Sequence, residues 1–110
     1  MSLDFSLHYD NDGHTNEVFC ANITHNLNVM AAEVGLYEAL WHPEDLGFNT
    51  AEELTLILQE GLDKLLAHPE VFTPLNPPNG WGTYGCLLDF TRRVLAACRK
   101  YPSARVSVSR

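Results

Sequence analysis

Two segments of this chain gather residue types from which a site could be built. The first is Asn22-Ile23-Thr24-His25-Asn26-Leu27, at the junction of a β-prone run and a helix. Helix N-terminal N–H groups there are free to hold an anion or a carbonyl, and Asn22, His25 and Asn26 add directional hydrogen bonds. The second is Asn76-Pro77-Pro78-Asn79-Gly80-Trp81-Gly82-Thr83-Tyr84, which sets large aromatics among backbone-bending residues. A helix-to-helix connection asks only for polar turn chemistry, so apolar surface held on a shaped loop suggests a site. In one reading Trp41, Trp81 and Tyr84 rim a concave pocket, with Asn76 and Asn79 as its polar contacts. In the other, Trp81 and Tyr84 plug the open end of the helices. The candidate ligand-binding set is therefore Asn22, His25, Asn26, Trp41, Asn76, Asn79, Trp81 and Tyr84, with no catalytic residue assigned.

Other chemistries find less support. The five histidines lack H-x-x-x-H spacing or a cysteine at ligand distance, so no metal and no cofactor is expected. His42 and His68 each precede a proline at a helix end, where a cation suits the dipole. Counting a calcium loop from His8 puts Phe19 where a bidentate glutamate belongs, so Asp10, Asp12 and Gly13 read as a hairpin tip. There is no G-x-S-x-G, P-loop, G-x-G-x-x-G or Cys–His pair. Glu44-Asp45 and Glu52-Glu53 sit at helix starts, where acids are expected without catalysis.

The elements that must position these residues follow from periodicity. Residues 4–9 alternate with Phe5, Leu7 and Tyr9 on one face, and 17–23 form a second β-prone run. Turn formers between them imply an antiparallel hairpin, tightest at Asp12-Gly13. Thr24 caps a first helix carrying Leu27, Met30, Ala31, Val34, Tyr37 and Trp41, which Gly35 breaks or bends and His42-Pro43 ends. Thr50 and Glu53 form a capping box for a second helix with Leu54, Ile57, Leu58, Gly61, Leu62, Leu65 and Leu66 on one stripe. Gly61 on that stripe implies close approach of another backbone. A third helix spans about 84–100, ended by Tyr101-Pro102, and 104–109 alternate as a last strand. The fold class is α+β: a single domain over 1–110 in the order β-β-α-α-α-β, its small antiparallel-leaning three-stranded sheet packed against helices.

The 110 residues, 45 % hydrophobic and 19 % charged, suit one ordered core and contain no membrane-length apolar run. An acid near the N-terminus, where a signal peptide would be basic, argues for a cytoplasmic protein. Cys20, Cys86 and Cys98 form no C-x-x-C pair and read as reduced, buried thiols. The net charge of −7 is uneven: residues 1–70 hold thirteen acids against Lys64, a balance of −12, and 71–110 hold six bases against Asp89, a balance of +5. Helix-dipole complementarity accounts for this. So does a basic face that meets an acidic partner, a second copy in a homodimer included. Overall acidity disfavours nucleic acid as a partner.

Asn-Ile-Thr-His-Asn-Leu at 22–27, Leu-Tyr-Glu-Ala-Leu-Trp-x-Pro at 36–43 and Asn-Pro-Pro-Asn-Gly-Trp-Gly-Thr-Tyr at 76–84 together resemble a family of small uncharacterised proteins of bacteriophages and prophage-bearing bacteria. With the spacing between the segments, the resemblance is nearly full-length. The family pattern has arginine at position 42 and an acid at 85, where this chain has His42 and Gly85. The resemblance implies an accessory or counter-defence role and carries no activity. Two function classes follow. One is a non-catalytic binding module that recognises a small polar ligand or a host protein through 22–27 and 76–84. The other is a small enzyme with His25 as general acid–base.

Overall fold

The computed structural model describes residues 2–11, 13–77, 80 and 82–110. Its sheet is built around β1 (Ser2–Asn11), paired antiparallel with β2 (His14–Thr24) on one side and with β3 (Arg105–Ser109) on the other. The order is thus β2-β1-β3. Leu3, Phe5 and Leu7 alternate into the core and are fully buried, as the period of a strand requires. The hairpin outruns the predicted 4–9 and 17–23 at both ends, because ladder hydrogen bonds need no apolar side chains. Gly13, at φ +82°, supplies the left-handed residue of the connection. One irregularity breaks the β1–β2 ladder: Leu7 faces Phe19 and His8 faces Glu17, so Val18 is bulged out.

Helices cover one face of the sheet. The Thr24 hydroxyl accepts the Asn26 N–H at 3.3 Å and opens a 3-10 turn, His25–Leu27, that runs into α1 (Asn28–Glu33). Gly35, at φ +77°, does break the predicted first helix. It resumes as α2 (Tyr37–Trp41), and Pro43 starts a separate 3-10 turn. The capping box at Thr50 and Glu53 forms, and a 3-10 turn, Ala51–Leu54, leads into α3 (Thr55–Ala67). A short α4 (Pro69–Phe72), unforeseen in the sequence, follows His68. α5 (Tyr84–Lys100) has the predicted bounds, with Thr83 accepting the Cys86 N–H as N-cap.

α3 and α5 pack on one another, and α5 runs beneath β2. Leu54, Leu58, Leu65, Leu87 and Val94 join the strand residues in one buried cluster. Two expectations need correction. At Gly61 the nearest neighbour is a side chain and not a backbone: a Cβ there would strike Leu36, its Cδ1 2.9 Å away. The three thiols are not all buried: Cys98 is, and burial pushes its pKa up to about 12, whereas Cys20 and Cys86 are exposed. Cys20 pairs with Ser6 on the outward face of the sheet, and Cys86 lies in the exposed first turn of α5.

Candidate functional site

The 22–27 and 76–84 segments meet at Gly82. Its φ of +96° is one L side chains rarely adopt, and a Cβ there would lie 2.7 Å from Thr24 Cγ2 and 3.0 Å from Leu27 Cγ. Only glycine lets the loop lie so close to the strand-to-helix junction. The loop is tied at its ends. Asn76 Oδ1 accepts the Tyr84 N–H at 2.7 Å, and the Tyr84 hydroxyl donates to the Leu65 carbonyl. Asn76 and Tyr84 therefore shape the loop from within. Asn79 and Trp81 lie outside the described residues.

Beside this meeting point is a groove of about 350 Å³ between the edge strand and α5. Asn22, Ile23 and Thr24 form one wall; Gly82, Cys86, Asp89, Phe90 and Arg93 form the other. Ile23 and Phe90 are almost wholly buried, so Asn22, Cys86, Asp89 and Arg93 supply its accessible chemistry. Asp89 and Arg93 are paired only at 4.0 Å along their helix, a contact of little strength. Arg93 also reaches a hollow of about 540 Å³ on the open face of the sheet, beside Ser6, Cys20, Asn22 and Ser107. Arg93, Asp89 and Cys86 were not singled out by sequence, where 84–100 reads first as a core helix. The available signal was an opposite-charge pair four residues apart, off the apolar stripe.

The remaining sequence candidates take other places. Asn22 Nδ2 donates to Ser2 Oγ at 2.8 Å and to Asp4 Oδ1 at 2.7 Å. Asn26 Nδ2 turns back to Thr24 Oγ1 at 3.1 Å. Trp41 is 1 % exposed, a core residue and not a pocket rim, because its indole fills the space beneath the junction. Its Nε1–H donates to His25 Nδ1 at 2.8 Å. That bond makes Nδ1 an acceptor, so the neutral imidazole carries its proton on Nε2. His25 is thereby held as a hydrogen-bond donor, a poor arrangement for a general base.

A second polar network extends from the other side of Trp41. Tyr37 stacks on its ring at a centroid distance of 5.6 Å, and the Tyr37 hydroxyl meets His42 Nε2 at 3.2 Å. His42 Nδ1 lies 3.8 Å from both Glu44 and Asp45, so local acids and Tyr37 surround it as well as the helix end. Arg110 donates to the Trp41 carbonyl at 2.7 Å and to Glu44 at 2.6 Å. The Glu44 backbone N–H, and after it Arg110, hold the Glu44 carboxyl below its ordinary range. This network pins the chain's last residue to the end of α2.

Among the described residues no group of three or more His, Cys, Asp or Glu side chains is placed to hold a metal, and no helix is long and apolar enough to cross a membrane. Comparison with family models, with curated proteins and with solved structures finds no match.

Proposed function

We propose that this chain is a non-catalytic binding module, an accessory protein of the phage or prophage kind that its three segments resemble, acting in the cytoplasm on a protein partner. The observation that carries this is the groove between Asn22–Thr24 and α5, set where the two candidate segments meet at Gly82. One wall is an edge strand, whose main chain suits an extended polypeptide. The accessible side chains, Asn22, Asp89 and Arg93, offer hydrogen bonds and both signs of charge around a shallow cleft. A small polar ligand would use the same side chains with less of its surface enclosed. The His25–Trp41 bond supports a binding role over acid–base catalysis, and the net charge of −7 supports a protein over nucleic acid.

The test is an amide-shift titration of the labelled chain with a panel of short peptides, nucleotides and amino-acid derivatives. Shifts concentrated at 22–24 and 82–93 with peptides are the expected result. Binding that maps to the Tyr37–His42 side, or saturable binding of nucleotides alone, would defeat the reading.

A further inference from the structure

We infer that the partner at this surface is a second copy of the chain, which pairs its β2 antiparallel with β2 of the first to make one continuous six-stranded sheet. The inference rests on the reading of the β2–α5 groove as the binding surface and names its occupant.

The first argument is the edge itself. β2 is a terminal strand of the sheet, and among the described residues its only ladder is with β1. Exposed edges are ordinarily guarded by lysine, proline or inward-pointing charge. Phe19-Cys20-Ala21-Asn22-Ile23-Thr24 carries no charge and no proline. Its register with β1 runs without a break from Phe19 opposite Leu7 to Thr24 opposite Ser2. The bulge at Val18 ends this stretch on one side, and the 3-10 turn at His25 ends it on the other. What remains is a regular six-residue template, bounded at both ends against indefinite growth.

The second argument is self-complementarity. A two-fold axis normal to the sheet near Ala21 or Asn22 sets each residue against one of the same face. Phe19, Ala21 and Ile23 then line the core side, and Cys20 and Asn22 the outer side. α5 runs antiparallel to β2: Gly82 touches Thr24, whereas Arg93, further along the helix, reaches Cys20 and Asn22. The same axis therefore lays the two α5 helices side by side and antiparallel. Asp89 and Arg93, exposed on the groove side and weakly paired within their own helix, then face Arg93 and Asp89 of the other copy. An opposite-charge pair on one helix becomes two pairs across an isologous interface.

Sedimentation velocity of the full chain over a concentration series tests this, together with D89R, R93D and the double variant D89R/R93D. Both side chains are exposed, so circular dichroism should show native helix content in all four. The wild type should sediment as twice 12.3 kDa. Each single reversal should raise the dimer dissociation constant by about tenfold or more, because like charges then meet twice across the axis. The double reversal should restore it. Independently of any variant, amides of 19–24 in the wild type should gain exchange protection with concentration. A single-chain mass throughout, or a dimer indifferent to both reversals, overturns the proposal. A monomer that still binds peptide at 22–24 and 82–93 would overturn it while leaving the binding-module reading standing.

Discussion

The two edges of the sheet are finished in opposite ways. At β3 the chain covers its own edge. Thr50 bridges to Arg105, the Asn49 carbonyl accepts the Val106 N–H at 2.9 Å, and Ala51 N–H donates to Ala104 at 2.9 Å. Glu53 locks that cover, its carboxylate accepting the Asn49 and Thr50 N–H groups at 3.2 and 3.1 Å. At β2 no described segment does the same, and the neighbouring helix leaves a groove. Since unpaired edge groups invite another strand, closure of one edge and exposure of the other assign, on the function proposed above, a structural role to the β3 side and a binding role to the β2 side. Stability should be concentrated at the first and binding at the second.

The largest expected effect tests the structural side. Leu54, fully buried where the cover turns into α3, should cost about 2–5 kcal/mol when changed to alanine, by lost transfer energy and a residual cavity. Urea denaturation reads this directly, and a loss below 1 kcal/mol would break the contrast. Next comes Gly82→Ala, where the left-handed backbone and the contact with Thr24 act together. We expect a loss of about 1–3 kcal/mol together with loss of peptide binding, since the loop must lift from the junction. Unchanged binding would show that the meeting of the segments does not matter to function.

Thr50→Ala should be milder, about 1 kcal/mol for a lost cap, with peptide binding at β2 intact. Glu53 adds a pH signature on this side. The Asn49 N–H first, then the N–H and hydroxyl of Thr50, hold its carboxyl below the ordinary value. A folded pKa below the unfolded one gives stability that is present above the unfolded pKa and lost as pH falls through the folded pKa. Denaturation midpoints between neutral pH and pH 3 should therefore fall less steeply for Glu53→Gln than for the wild type. Parallel curves would refute the assignment.

These contrasts track what was legible in the sequence. The end of α5 could be read because Tyr101-Pro102 is a local stop signal, and the capping box at 50–53 is equally local. The order β2-β1-β3 was not legible, because pairing partners are chosen by tertiary packing and every strand alternates alike. Gly61 announced a close approach without naming what approaches, and Leu36 lies 25 residues earlier in the chain. Trp41 was legible as a helix-face aromatic, yet an indole serves a rim or a core equally until its neighbours are known. The two candidate segments are legible in the sequence, but that they meet, at Gly82, is shown only by the structure. Asp89 and Arg93 entered the sequence reading only as part of the basic C-terminal balance and not as site residues, because a solvated i, i+4 pair looks the same whether or not a partner meets it.

The smallest effect belongs to the open side. Cys20→Ser replaces one small exposed side chain by another on the outward face of β2 and should shift stability by no more than about 0.5 kcal/mol. Its thiol is more informative than its energy. In dilute native protein Cys20 and Cys86, both exposed, should react promptly with a disulfide reagent, whereas Cys98 should wait for unfolding, being buried and with its pKa pushed up to about 12. Reactivity follows thiolate and access together, and Cys98 lacks both. Two thiols counted under native conditions and three after denaturation is the expected titration. If Cys20 is silent in the dilute native chain, some part of the molecule already covers this strand, and the difference between the two edges disappears.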